Sequence, residues 1–157
     1  RFPDDPRVVG AAAARAQAAG DAARAVELLH KLAAKAPGNP VLLNDLAWAQ
    51  LAAGRNADAL GNAQRAVSGL PNNPNALHTL GLALARNGQR DEAIKVLRAA
   101  SNLAPTMAMP RLHLADQLAA AGDKDGARSA LRGLDEAQLG ARDKDELSRL
   151  RGTLGLG

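Results

Sequence analysis

The chain has 157 residues, 46% of them hydrophobic but only 1% aromatic, with a net charge of +4 and no cysteine. The absence of cysteine excludes disulfides and thiolate metal sites. Basic and acidic residues interleave rather than forming the basic stripe of a nucleic-acid binder, and no apolar run approaches the ~20 residues of a membrane span.

Phe2 and Trp48 are the aromatic residues, so Ala and Leu must build the core, and the backbones must lie close together. Ala-rich sequence with few β-branched residues favours helix. Pro3, Pro37, Pro71 and Pro105 are 34 residues apart, and so are Gly20, Gly54, Gly88 and Gly122. Ala25, Ala59, Ala93 and Ala127 form a third column with the same step. Such a comb marks an internal repeat.

Taken in chain order, residues 1–5 read as the tail of a preceding repeat, with Pro3 and Asp5 in the columns for a repeat end. This predicts that the array continues upstream. Four repeats follow, at 6–39, 40–73, 74–107 and 108–135. The first three open on Asp5-Pro6, Asn39-Pro40 and Asn73-Pro74. Asp or Asn caps a helix, and Pro suits the first helical position because its missing N–H costs nothing there. Each first helix should end at the comb Gly, which can adopt a left-handed cap. Each second helix should start two or three residues later, capped at Asp21 and Asp123 in repeats one and four, and stop at the next comb Pro. Small residues at Ala13, Ala47, Gly81 and Ala115 should face the comb Ala column where the two helices cross. One hairpin cannot bury this face alone, so hairpins must stack.

Repeat four lacks the comb Pro, with Leu139 in its place. A capping helix is predicted over 141–152, with Asp143 and Glu146 forming its start and Leu147 and Leu150 its apolar stripe. Its other residues are polar, as the end of a solenoid requires.

These columns resemble those of the tetratricopeptide repeat (TPR) family. Repeat three carries the resemblance most fully, through Leu77, Leu80, Gly81, Leu84, Gly88, Ala93, Leu97, Ala100 and Pro105. The fold this implies is all-α: an α-solenoid of about four TPR helical hairpins plus a C-terminal capping helix. The implied function is a non-catalytic protein–protein interaction scaffold that binds a peptide or protein segment in its concave groove. No cofactor is implied. The open edge before residue 6 would favour self-association.

At 100° per residue, the face of each first helix opposite its core side falls at fixed repeat positions. In a TPR stack these line the groove. The candidate partner-binding residues are Asn44, Asp45, Trp48, His78, Leu82, Arg86, His113 and Asp116. Trp48 suits an interface anchor. It equally suits packing against a neighbouring first helix, and sequence leaves both readings open. His78 and His113 lie on adjacent first helices, but two histidines without a third ligand do not make a zinc site. Some TPR proteins clamp a terminal carboxylate with Lys, Asn and Arg. The corresponding positions here, Gly10, Ala14, Asp45, Asn75 and Thr79, do not reproduce that clamp, nor do those one repeat further on.

Catalysis needs a constellation of activated groups in a cleft. With no Cys or Tyr, no Gly-rich phosphate loop, and Ser68, Ser101 and Ser129 away from His78 and His113, none is visible. A narrower resemblance lies in LNDLAWAQ at 43–50, LHTLGLALARNG at 77–88 and PRLHLADQLAAAGDKDGAR at 110–128. Asn44, Trp48, Gly81, His113 and Asp123 are similar to the C-terminal part of bacterial TPR lipoproteins of exopolysaccharide export and exosortase-type (PEP-CTERM) sorting; a second Trp of that pattern is replaced by Leu82. It implies a periplasmic, envelope-associated assembly scaffold. The alternatives are a cytoplasmic docking module and the substrate-recruiting tail of a larger enzyme.

Overall fold

A computed structural model describes residues 5–156, and all its regular structure is helical. The chain forms two compact units, 1–71 and 72–157.

The first unit holds two hairpins. Helices α1 (Pro6–Ala18) and α2 (Ala22–Lys35) form one, and α3 (Pro40–Ala52) and α4 (Asn56–Gly69) the other. The starts of α1 and α3 follow from local chemistry. Asp5 accepts from the backbone N–H of Arg7, and Asn39 from those of Val41 and Leu42, with Pro as the first helical residue both times. These side chains satisfy amide groups that no helical carbonyl can reach. Pro3, a member of the comb, lies outside the described residues.

The turn inside each hairpin is one device repeated. Gly20 and Gly54 have φ of 75° and 74°, the left-handed region that glycine enters without steric cost. The next residue bonds back across the turn: Asp21 N–H donates to the Ala16 carbonyl at 2.9 Å and Arg55 N–H to that of Gln50 at 2.8 Å. This closure ends the first helix and aims the chain into the second. Asp21 then caps α2 by accepting from Arg24 N–H, whereas α4 starts without a side-chain cap and places Asp58 in its first turn. A carboxylate there favours the helix dipole.

The core of this unit is built from small and aliphatic side chains. Val9, Ala13 and Ala16 of α1 meet Ala25, Val26, Leu28, Leu29, Leu32 and Ala33 of α2, joined by Leu46 and Ala49 of α3. In the second hairpin Ala47, Ala59, Ala63 and Ala66 have no exposed surface. Gln50, also buried, accepts from the Asn62 amide at 2.9 Å and ties α3 to α4. A polar pair is tolerated at this crossing because each partner satisfies the other.

The second unit repeats the plan and then ends it. Helices α5 (Pro74–Arg86) and α6 (Arg90–Leu103) form a hairpin, followed by α7 (Ala108–Ala120), α8 (Lys124–Leu131), a 3-10 turn (Glu136–Gln138) and α9 (Ala141–Leu154). Asn73 caps α5 and Asp123 caps α8. Gly81 lies so close to α6 that an added Cβ would fall 2.6 Å from Leu97 Cγ. The same register positions in the second hairpin hold Ala47 and Ala63, so a larger residue on one helix goes with a smaller one on the other.

Two details depart from the sequence expectation. Met107 stands where the earlier repeats have Asp or Asn, and it gives α7 no side-chain cap. Gln138 supplies one from 30 residues away: its Oε1 accepts from Ala108 N–H at 3.1 Å, and its Nε2 donates to the Thr106 carbonyl at 2.9 Å. Helix α9 starts at Ala141, but Asp143 does not stand ahead of it as its cap. Asp143 is its third residue and reaches back to accept from Gly140 N–H at 3.3 Å, so the helix begins before Asp143 rather than at it.

The core of this unit gathers Leu97, Leu112, Leu114, Ala115, Leu118, Ala127 and Leu131 with Leu134, Leu139, Leu147, Leu150 and Leu154. Leu139, in the register position of the comb Pro, is therefore core rather than a stop. The Arg111 guanidinium donates to the carbonyls of Ala130, Pro105, Gly133 and Arg132, gathering the open end of the short α8. Arg128 donates to the Leu154 carbonyl at 3.0 and 2.7 Å, fixing the end of α9.

Candidate functional site

The residues singled out in the sequence all stand on first helices of the hairpins, and each unit presents its own set. In the first unit, α3 carries Asn44, Asp45 and Trp48 on consecutive turns, with Val41 one turn earlier. Val41 is 54% exposed and Trp48 39%, among few large apolar side chains left in solvent. Asn44 and Asp45 are half-buried beside them. Burial pushes the Asp45 carboxyl above its ordinary range, against the smaller pull of the neighbouring Asn44 amide.

In the second unit, His78 of α5 and His113 of α7 meet directly. Nε2 of His78 and Nδ1 of His113 are 2.8 Å apart, with ring centroids 5.0 Å apart and planes 18° from parallel. One ring must donate the shared N–H and the other accept it, and which does so is a matter of tautomer. Burial, and secondarily the His113 charge, pushes His78 down to about 3. His113 is also pushed down by burial, which outweighs the pull of Asp116 and Asp143. Both rings are thus neutral near pH 7. His78 is buried, unlike the open groove position expected for it, because its ring is spent on the α5–α7 contact.

The other expected residues lie nearer the surface. Leu82 is half-buried and Arg86 exposed on α5, and Asp116 on α7 is half-buried, accepting from the Gln117 amide at 2.9 Å. Asp116 also borders a cleft of about 390 Å³ between α7 and α9, lined by Ala119, Glu146, Arg149 and Thr153. Burial, with the charges of Asp116 and Asp143, pushes the Glu146 carboxyl up. Glu146 was legible only as part of a capping signal; its position in this cleft depends on how α9 docks. Among the described residues no three His, Cys, Asp or Glu side chains converge in a way that could hold a metal ion. No helix among them is long and apolar enough to cross a membrane.

Paired helices, small-residue crossings and a left-handed glycine closing each turn define a helical-hairpin repeat protein. Two sequence profiles match the chain: one described as "Anaphase-promoting complex, cyclosome, subunit 3" over residues 52–134, and one described as "Tetratricopeptide repeat" over 16–61. The chain belongs to the tetratricopeptide repeat family. No curated protein matches it in sequence.

Solved structures are similar in fold. TTC0263, a TPR protein of Thermus thermophilus, aligns with a TM-score of 0.83 at 22% identity, covering 97% of this chain and 84% of its own. MamA from Desulfovibrio magneticus RS-1 aligns with a TM-score of 0.73 at 19% identity, covering 93% and 77%. The Thermobaculum terrenum O-GlcNAc transferase aligns with a TM-score of 0.71 at 22% identity over 81% of this chain, which corresponds to 26% of its own length.

Proposed function

We propose that the chain is a non-catalytic protein–protein interaction scaffold, which holds a peptide or protein segment against the first helices of its hairpins. The observation that carries this is the surface of α3. Its remaining large aliphatic side chains are buried or partly so, yet Val41 and Trp48 stay exposed on one face, with Asn44 and Asp45 between them. An aromatic anchor flanked by polar groups is the composition of an interface hot spot. Extended and helical segments both dock on such surfaces, through apolar contacts that give affinity and polar ones that set register.

A displayed peptide library selected on the purified chain tests this reading. Selected peptides should lose at least tenfold in affinity when Trp48→Ala and Asp116→Ala are combined. Peptides that bind the combined variant as well as the parent would overturn the assignment of these faces.

An envelope-associated scaffold in polysaccharide export is a narrower reading. It rests on Asn44, Trp48, Gly81, His113 and Asp123 in their sequence context. Gly81 is required by its contact with Leu97, and Asp123 by its cap on α8, so these serve the fold in any pathway. The weight of the narrower reading falls on Asn44, Trp48 and His113. Fractionation of the full-length protein checks it, because recovery in the cytoplasmic fraction alone would remove the periplasmic role. The alternative of a substrate-recruiting segment in a larger enzyme draws on the likeness to the O-GlcNAc transferase, a likeness of fold.

A further inference from the structure

Each unit also has a cleft on the side of its second helices. In the first unit a cleft of about 520 Å³ is lined by α2, α3 and α4. In the second, one of about 530 Å³ is lined by α6, α7 and α8. The two linings correspond position by position, two repeats apart, and differ in chemistry. Ala33, Leu43 and Asp58 of the first cleft stand where the second has Ser101, Arg111 and Gly126. The second cleft thus carries a hydroxyl and a guanidinium at two apolar positions and lacks the carboxylate. Val67 and Leu77, in the repeat between, keep the columns of Ser101 and Arg111 apolar as well.

In the first cleft the charges of two arginines are answered from within. Arg55 pairs with Asp58, and Arg65 donates to the Pro37 carbonyl at 2.7 Å. In the second, Arg111 gives its N–H groups to backbone carbonyls, and no Asp or Glu lines the cleft. Arg98, exposed at the cleft, makes no ion pair or side-chain hydrogen bond among the described residues. Ser101 lines the cleft too, and its Oγ is buried without a hydrogen-bond partner. A buried hydroxyl left unpaired is costly, and Ala33 and Val67 show that the repeat does not need one there. The hydroxyl turns about a single torsion, so offering it to a ligand breaks no existing bond.

A cleft lined by one sign of charge concentrates the other. We infer that the cleft between α6 and α8 binds a carboxylate side chain of a peptide or protein segment, with Arg98 as its ionic partner and Ser101 as a second donor. A carboxylate matches two donors with its two oxygens. A phosphate group has three acceptor oxygens, and Arg111 is already committed to carbonyls, so the carboxylate is the better fit. The volume of the cleft leaves room for residues on either side of the acidic one. Asn102 and Ser129 also line it, with side chains that bond to nothing else among the described residues, and they can hold the backbone of the segment. This surface shares no residue with the α3 face, so neither reading depends on the other.

The test titrates the isotope-labelled chain with blocked pentapeptides that differ only at a central glutamate, glutamine or phosphoserine, and with free glutarate. Backbone amide signals in the NMR spectrum follow each titration. The glutamate peptide should move the signals of Arg98, Ser101 and Ser129, and bind about tenfold more tightly than the glutamine peptide, a ratio of the size that a charge-assisted hydrogen bond supplies. Arg98→Gln, with its helical circular dichroism matched to the parent, should bind the two peptides equally. Ser101→Ala should weaken the glutamate peptide by about threefold, the loss of one neutral donor, without lowering the melting midpoint. Equal affinity for glutamate and glutamine on the parent, an undiminished preference in Arg98→Gln, or no binding of any probe would each overturn the inference. A lowered midpoint in Ser101→Ala would make that hydroxyl structural and remove it from the site. Tighter binding of the phosphoserine peptide would overturn the choice of carboxylate, and glutarate binding as tightly as the glutamate peptide would overturn the choice of a segment.

Discussion

Gly81 shows how little room the crossings leave. A methyl group there would sit 2.6 Å from Leu97 Cγ and 2.7 Å from its Cδ2, far inside contact distance. Leu97 is fully buried and cannot swing away. Gly81→Ala should therefore destabilise the protein by about 1–3 kcal/mol through overpacking, despite the higher helix propensity of alanine. Thermal denaturation measures it, and an unchanged midpoint would contradict the packing described. The small size of this position was legible in the sequence, because Ala13, Ala47 and Ala115 share its register. The need for glycine in particular was not, since it depends on the rotamer and depth of Leu97.

The histidine pair gives a second residue-scale prediction. Both rings are held below their ordinary value by burial, His78 down to about 3. As pH falls below about 6.5, the unfolded chain takes up protons that the folded chain refuses. Stability should thus be greatest above that pH and decline as pH falls towards 3, by at most about 1.4 kcal/mol per pH unit for each ring. Denaturant titrations at pH 7.5, 6 and 5 should show the decline, and His78→Gln should make it shallower. Sequence placed the two residues on adjacent first helices. It could not show that the nitrogens meet, because that depends on the offset between α5 and α7.

At the scale of elements, the beginnings of helices divide into those written locally and those completed from afar. Asp5, Asn39 and Asn73 cap within three residues and stand out in the sequence as Asp-Pro or Asn-Pro. Asn73→Ala should cost about 1 kcal/mol. The α7 cap could not be read this way, since Gln138 follows it by 30 residues and is brought back by the 3-10 turn. Gln138→Ala should speed hydrogen exchange at the Ala108 amide and leave exchange at the start of α5 unaltered. The role of Asp143 in the entry of α9 has a related cause. Asp143 can act as a cap or as the third residue of a helix, and the local sequence does not tell which.

For the molecule as a whole, the hairpin plan was legible because close packing demands small residues at fixed intervals. The candidate recognition face was only partly so. Position on a helix told which residues point away from the hairpin core, but whether each ends exposed, as Trp48, or buried, as His78, depends on what packs over it. The closing element can be tested at this scale. Leu147, Leu150 and Leu154 are buried on α9, while most of its other residues are exposed. Leu147→Asp would place a charge where the side chain is 1% exposed. It should undock α9 and uncover Leu112 and Leu118, and size-exclusion chromatography with light scattering should then detect self-association. A variant with the parent's elution and an unaltered melting curve would show that α9 is not the seal.

The junctions between hairpins also bear on how such a chain could lengthen or shorten. Asn39 precedes Pro40, and Asn73 precedes Pro74. Excising residues 40–73 would bring Asn39 before Pro74 and recreate the same dipeptide at the seam. Leu77, Leu80 and Gly81 would then follow α2 at the spacing now held by Leu43, Leu46 and Ala47. A genetic deletion of one whole repeat therefore leaves no scar in the local signals that start, turn and stop the helices. The shortened chain should keep its helical content per residue while losing Trp48. Insertion of a further copy at that seam is equally silent, so repeat number can change during descent without a new boundary having to evolve.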